Sequence, residues 1–363
     1  MAGLIRYASS DIVVSTDKLV TSTWSNNTNN LQNHFTASTT TYNTVTSSAQ
    51  FFLNVFNNES ISSSAEVQYA AAYGHKAGSG SPDFTNDSGS FGFGASRVIY
   101  NQYRQLVFGD ENQNFTFGNH TPNDIYVINV NRARFKHNLK PGSLNLVLNS
   151  AKFAEDTSTL TSEQKSALKI HLTDDSVTST GSAVVTNLGR QFNIVSGSSG
   201  IAVGGTHLQV NTSASYGLFY PDAGIMILNP DVFGRGGSGD GNRHFLAPDR
   251  NSGVSTNVDL NHRKLFNAIS GAGSFIIDSE EKITSQYYFT RAKNNEFNYT
   301  TNPSFIDDNA NVLIPSFIDN PQTFITTIGL YNDNNDLVAV AKLSQPVTKD
   351  FTKEALIRVK LDY

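Results

Sequence analysis

The chain has 363 residues, enough for two or three cores of ordinary size. Its net charge of −5 is mild, its lysines and arginines are scattered, and it has no cysteine. That excludes disulfides, zinc–thiolate centres and thiol nucleophiles, and it leaves no basic stripe for nucleic acid.

Charged residues make up only 16%, against about 25% in ordinary domains. Asn, Thr, Ser and Gly fill the gap, which suits pleated strands and turns. The 24 Phe and 14 Tyr supply core and interface mass. The opening MAGLIRYASSDIVVST has no long apolar run, so no signal peptide is expected. No apolar run approaches the ~20 residues that span a bilayer, so membrane insertion is not expected either. A polypeptide made in a cytoplasm fits both readings.

Residues 1–48, rich in Ser, Thr and Asn, read as an extended N-terminal arm. Trp24, the sole tryptophan, is its candidate anchor on a neighbouring subunit. Residues 49–122 read as an N-terminal β-rich part, with strands at Phe51–Phe56 and Val67–Tyr73 and a Gly/Ser loop from Gly74 to Gly94. A helix is expected over Arg97–Phe108, with Ser96 as N-cap.

Residues 123–363 read as a second β-rich part, with a potential division near 234–260. Strands are expected at Asp124–Asn131, Ser143–Leu148, Leu168–Leu172 and Gln191–Val195. Tyr216–Asn229 reads as a hairpin about the turn Pro221-Asp222-Ala223-Gly224. A glycine-rich loop follows at Gly234–Gly241, then a short helix at His262–Ile269. Further strands are expected at Ser274–Ile277, Gln286–Ala292 and Ala355–Leu361.

The clearest hairpin runs from Thr323 to Leu343. Phe324, Thr326, Ile328 and Leu330 alternate onto one face, and Leu337, Ala339, Ala341 and Leu343 do so on the return. Asn332–Asp336 turns the chain between them. The expected fold is therefore mainly β: sandwich or barrel-like domains with long loops and one or two short helices.

Chemistry is sparse. The glycine clusters lack a P-loop pattern and any βαβ context. The eight histidines form no helical zinc pair. His244 near Asp240 and Asp249 has no recurrent ligand spacing. The pairs Asp174–Asp175 and Asp307–Asp308 read as surface turns, since glycosidase carboxylates come from separate strands. The Asp333–Asp336 loop lacks the Gly and terminal Glu of an EF-hand. No catalytic residue, cofactor or metal is assigned. Arg132 and Arg134, in RARFKHNLK, alternate as on a strand face and are candidate contacts with an acidic neighbour.

Four segments carry a resemblance. They are DIYVINVNRARFKHNLKPGSLNLVL from Asp124, YGLFYPDAGIMILNP from Tyr216, TSQYYFTRAKNNEFNYTTNPSF from Thr284, and the hairpin IGLYNDNNDLVAVAKLSQPV onward to Tyr363. Together they resemble virion structural proteins of large contractile-tailed bacteriophages of the cyanophage kind, baseplate and tail components above all. SAEVQYAAAYGHKAGSGS and the wording at Val98–Arg104 add to the likeness.

The resemblance implies a non-enzymatic subunit of a tail or baseplate, oligomeric or embedded among other tail subunits, made in the host cytoplasm and located in the virion. Contact with the host surface is open to such a subunit. Alternatives are a receptor- or glycan-binding tail protein, a capsid-surface or neck protein and, least favoured, a depolymerase. The residues singled out for contacts are Trp24, Arg132, Arg134 and Tyr331.

Overall fold

The computed structural model describes residues 4–36, 52–59, 62–81, 94–149, 169–178, 183–202, 215–233, 246, 248, 250, 261–299, 303–309 and 311–363. Among the described residues it is mainly β, 47% strand and 15% helical. The first strands are β1 (Ile12–Ser22), β2 (Asn30–Leu31), β3 (Phe35–Thr36), β4 (Phe52–Phe56) and β5 (Val67–His75), followed by helix α1 (Ala95–Phe108). Next come β6 (Asp124–Val130), β7 (Asn138–Leu139), β8 (Asn145–Asn149), β9 (Lys169–Asp174), β10 (Val184–Thr186), β11 (Gly189–Ser198) and β12 (Ile201–Ala202). The hairpin β13 (Gly217–Tyr220) and β14 (Ile225–Leu228) leads to α2 (Pro230–Phe233), α3 (Asn261–Ala272), β15 (Phe275–Ile276) and β16 (Asp278–Ala292). The chain ends with α4 (Pro315–Asp319), β17 (Thr323–Tyr331), β18 (Leu337–Lys349) and β19 (Ala355–Asp362).

Two compact units result: Leu19–Glu281, and Met1–Lys18 with Lys282–Tyr363. The chain passes between them within β1 and within β16. The sequence reading placed its divisions elsewhere, and the 1–48 arm is not one body. Its described residues are divided between the two units.

The Leu19–Glu281 unit is built on one thirteen-stranded sheet of order β2-β15-β8-β9-β11-β13-β14-β6-β5-β4-β3, with β10 and β12 attached to β11. The two ends of that path, β2 and β3, are separated in the chain only by residues 32–34. Leu31 and Phe35 can therefore lie no more than about 14 Å apart, so the sheet must curl until its edges approach.

Alternation then divides the side chains between two faces. Inside the curl lie Leu31, Val55, Tyr69, Tyr126, Leu146, Leu172, Ile194, Phe219, Leu228 and Phe275. Helix α3 adds Leu265, Ala268 and Ile269 to this core and touches β8 on one side and β4 and β5 on the other. Outside, α1 packs Ile99, Tyr100, Tyr103 and Val107, at helical spacing, against Ala72, Val127, Tyr220 and Ile227. Its approach is close: a Cβ at Gly74 would stand 2.8 Å from the Tyr100 backbone nitrogen. The helix ends at Gly109, whose φ of 68° forms a left-handed cap.

Trp24 sits at the seam of the curl and is 2% exposed. Its indole N–H donates to the Phe275 carbonyl at 2.8 Å. Its ring meets Phe275 at 4.9 Å and Tyr69 at 6.4 Å, thus β15 near one end of the sheet and β5 near the other. The expectation that Trp24 anchors on a neighbour is corrected here: its apolar surface is spent inside its own chain. Ser96 also differs from expectation. It lies inside α1, whose N-cap is Gly94; its N–H donates to the hydroxyl of Ser81 instead.

In the other unit, β16 pairs with β19 from Ser285↔Asp362 to Ala292↔Ala355, and β1 lies on the other side of β16. The β17–β18 hairpin forms a separate two-stranded sheet. Its Ile328 and Leu330 pack with Val359, Tyr7, Tyr288 and Leu361. Lys349 is fully buried at the end of β18. Its ammonium donates to the Asn294 carbonyl (3.0 Å), Asn298 Oδ1 (2.7 Å) and the Asp350 carbonyl (2.9 Å), which use all three of its protons.

Two substitutions test this packing. Trp24→Ala, which removes the seam filler, is expected to cost about 3–5 kcal/mol in urea unfolding followed by circular dichroism. Lys349→Met leaves three acceptors without their donor and is expected to cost about 1–3 kcal/mol; an unchanged urea midpoint would refute its pinning role.

Candidate functional site

The C-terminal hairpin presents an exposed surface of the Met1–Lys18 and Lys282–Tyr363 unit. Its turn is held by one side chain. Asn332 Oδ1 accepts the N–H groups of Asn334 (3.0 Å) and Asp336 (2.8 Å), and its amide donates to the Asp336 carboxylate at 3.0 Å. Asn335 takes a left-handed φ of 65°, which Asn tolerates. The acidic loop is thus a self-bonded turn.

From the turn, Leu330↔Ala339 and Ile328↔Ala341 face the core. The register then breaks between Ile325 and Thr327. The bulge flips the alternation, so Phe324 points outward and is 63% exposed, not on the face of Ile328 and Leu330 as the bare pattern suggested.

The outward face near the turn is apolar. Tyr331, Leu337, Val338 and Val340 are each at least half exposed. A Cβ on Gly329 would meet the Tyr331 ring at 3.0 Å and the Leu337 side chain at 3.1 Å. Both side chains therefore lie over the glycine, which makes the patch continuous across the strands. The strand edges differ. β18 carries Lys342 and Pro346, whereas β17, TFITTIGLY, has neither charge nor proline. Among the described residues β17 pairs only with β18. Such an edge lacks the usual guards against strand addition.

The structure does not bring the four singled-out contact residues together. Tyr331 lies in this patch and Trp24 is buried. Arg132 and Arg134 are not on a strand: they form a short 3-10 turn, capped by Asn131 Oδ1 accepting the Ala133 N–H at 2.9 Å. Arg134 pairs with Glu66 at 2.6 Å and donates to Ser25. Arg132 donates to the carbonyls of Phe135 and Lys136 and stacks on the Phe135 ring at 4.7 Å. Both arginines are thus engaged within their own unit. Asp174, expected on a surface turn, is fully buried and accepts the Gly142 N–H at 2.9 Å. Asp307 does cap an exposed turn, through the N–H groups of Asn309 and Asn311. His244, Asp240, Asp249 and the Gly234–Gly241 loop lie outside the described residues.

Sequence reasoning missed an ionic cluster built around buried Asp124 in the Leu19–Glu281 unit. Asp124, 0% exposed at the start of β6, accepts from Arg250 Nε (2.8 Å), Arg250 Nη2 (2.9 Å) and the Tyr73 hydroxyl (3.0 Å). The same guanidinium reaches Asp231, which also meets His120 Nε2 at 2.7 Å. Burial alone would raise the Asp231 pKa, but hydrogen bonds from His120 and Arg250 outweigh it and hold the carboxyl below its ordinary value. His75 lies opposite Asp124 in the β5–β6 register. Burial pushes its pKa down, and its Nδ1 accepts the Ala77 N–H at 3.1 Å. Both Asp124 oxygens accept from these donors, so this carboxylate holds Arg250 in place. No motif joins positions 73, 120, 124, 231 and 250.

Among the described residues, no group of three or more His, Asp or Glu is placed to hold a metal ion, and no helix is long and apolar enough to cross a membrane. The chain matches no protein family, no curated protein and no solved structure.

His262, on α3, gives a pH test. Burial, then the neighbouring Arg263, lowers its pKa from 6.5 to about 4. The unfolded chain therefore binds this proton at a pH where the folded chain does not. Its neutral form contributes fully above pH 6.5, and that contribution falls by roughly 3 kcal/mol as pH drops toward 4. The expected result is a urea midpoint that falls between pH 7 and pH 4.5, with a shallower fall in His262→Gln; equal slopes would refute this assignment.

Proposed function

We propose that this chain is a non-enzymatic structural subunit of a contractile phage tail or baseplate, joined to neighbouring subunits through its C-terminal hairpin. The observation that carries the reading is the hairpin's outer surface: a continuous apolar patch of Tyr331, Leu337, Val338 and Val340 beside an uncharged, proline-free β17 edge. An isolated monomer leaves such a surface in water at a cost and at risk of strand addition. An assembly covers it, with aromatic anchors such as Tyr331 near the centre of the contact. The hairpin is also the segment whose wording most resembles phage baseplate proteins. The ion pairs of Arg250 with Asp124 and Asp231 fit the same reading, since they tie parts of one subunit to each other.

Of the contact residues named from the sequence, Tyr331 is retained. Trp24 and Arg134 serve internal packing and pairing. Virion location, host-cell synthesis and lack of catalysis belong to this proposal as a whole.

The test is size-exclusion chromatography with light scattering on the full chain, beside localisation in intact particles by cryo-electron microscopy. The expected result is a mass above the monomer that falls in Tyr331→Ser and Val340→Lys, with unchanged far-ultraviolet dichroism. A monomeric wild-type chain, together with a particle map in which the hairpin faces only solvent, would overturn the reading.

A further inference from the structure

We infer that the groove between α1 and the outer face of the curled sheet is a binding site for a neutral saccharide. The groove has a volume of about 580 Å³, within the usual range of ligand pockets, roughly 300–1,000 Å³. Its floor follows from the strand register. Asn54, Ala70, Asn129 and Ile225 form one row across β4, β5, β6 and β14. Phe52, Ala72, Val127 and Ile227 form the next row along. Alanine at both β5 positions lowers the floor in the middle. Asn54 and Asn129 stand on either side of it, two strand spacings or about 10 Å apart.

Helix α1 forms the wall, with Gln102, Tyr103 and Leu106 on the groove. Phe52, 41% exposed, closes the β4 side. Asn129 and Tyr103 line the groove together, one from the floor and one from the wall.

The chemistry of the lining selects the ligand. Asn54, Gln102 and Asn129 are carboxamides, each offering a donor and an acceptor on adjacent atoms. Vicinal hydroxyls of a sugar ring match that pairing. The exposed ring of Phe52 offers a flat apolar face to the C–H side of the same ring. Arg132 is the only charged side chain in the lining, and its guanidinium is committed to Phe135 and Lys136. Phosphates, sulfates and sialic acids would meet a single arginine already held by two carbonyls, which favours a ligand whose recognition rests on the carboxamides. A purely apolar ligand would strip water from the carboxamides without replacing their hydrogen bonds. A peptide strand has no edge to add to at the floor, because β4, β5, β6 and β14 are already paired with one another there. The inference stands apart from the proposed assembly role, since the groove and the hairpin belong to different units.

The test uses the full chain on an array of neutral glycans ending in glucose, galactose, mannose or N-acetylglucosamine. Sialylated and sulfated glycans and unstructured peptides form separate arms. Binding is confirmed by saturation-transfer NMR with the matching methyl glycosides. Signal from a neutral glycan is expected, weakened about tenfold or more by Asn54→Ala, which removes one polar partner, and lost in Ala70→Leu, which fills the floor. Both variants should keep the wild-type thermal midpoint within a few degrees. Binding only to charged glycans or peptides, no binding at all, or neutral-glycan binding that both folded variants retain would each overturn the inference.

Discussion

The larger unit depends on closing one seam. A thirteen-stranded sheet presents two broad faces and two edges, and a flat version would leave Tyr126, Phe219, Leu228 and Phe275 on an open surface. The link at residues 32–34 draws the two ends of the sheet together, and the curl turns one face into an interior. Trp24 fills the gap between β15 and β5, and the Tyr69 hydroxyl meets His34 Nδ1 across the same region at 3.1 Å. Curling also removes most of the edge problem that open sheets carry.

The smaller unit solves the same problem differently. Its hairpin has one buried face and one exposed face, with the register break between Ile325 and Thr327, opposite Leu343–Pro346, changing the face at the far end. Small inward residues, Ala339 and Ala341, let it lie close to the β16–β19 layer. The two units thus divide the labour. One seals its strands against themselves and shapes a groove on its outer wall, while the other keeps a strand pair whose two edges are unpaired among the described residues.

Local features were legible in the sequence and distant ones were not. Both principal hairpins could be read because alternation and turn residues lie within a few positions, and Gly224 does adopt a φ of 73° in the Pro221–Gly224 turn. Helix α1 was readable from the spacing of Ile99, Tyr103 and Val107. RARF imitated a strand, but the carboxamide of Asn131 diverts the backbone into a turn before the alternation can matter. The bulge opposite Thr326 was hidden because its extra residues, Leu343–Pro346, lie on β18, where Pro346 was its only local sign. Trp24 looked like a surface anchor because its neighbours in sequence are polar, whereas its partners are brought by the sheet. The groove was equally invisible: its polar floor pairs positions 54 and 129, which only the strand register sets side by side.

The seam also governs when this protein can fold. The hydrogen bond from Trp24 to Phe275 spans 251 positions, so the first strands to leave the ribosome must wait for nearly the last part of their unit. Closure at such separation means high contact order and a slow search. During synthesis, β4, β5 and β6 can pair early, but their inward tyrosines stay uncovered until β15 arrives. A nascent chain stalled before that point would expose the future interior, the state in which aggregation or chaperone capture competes with folding.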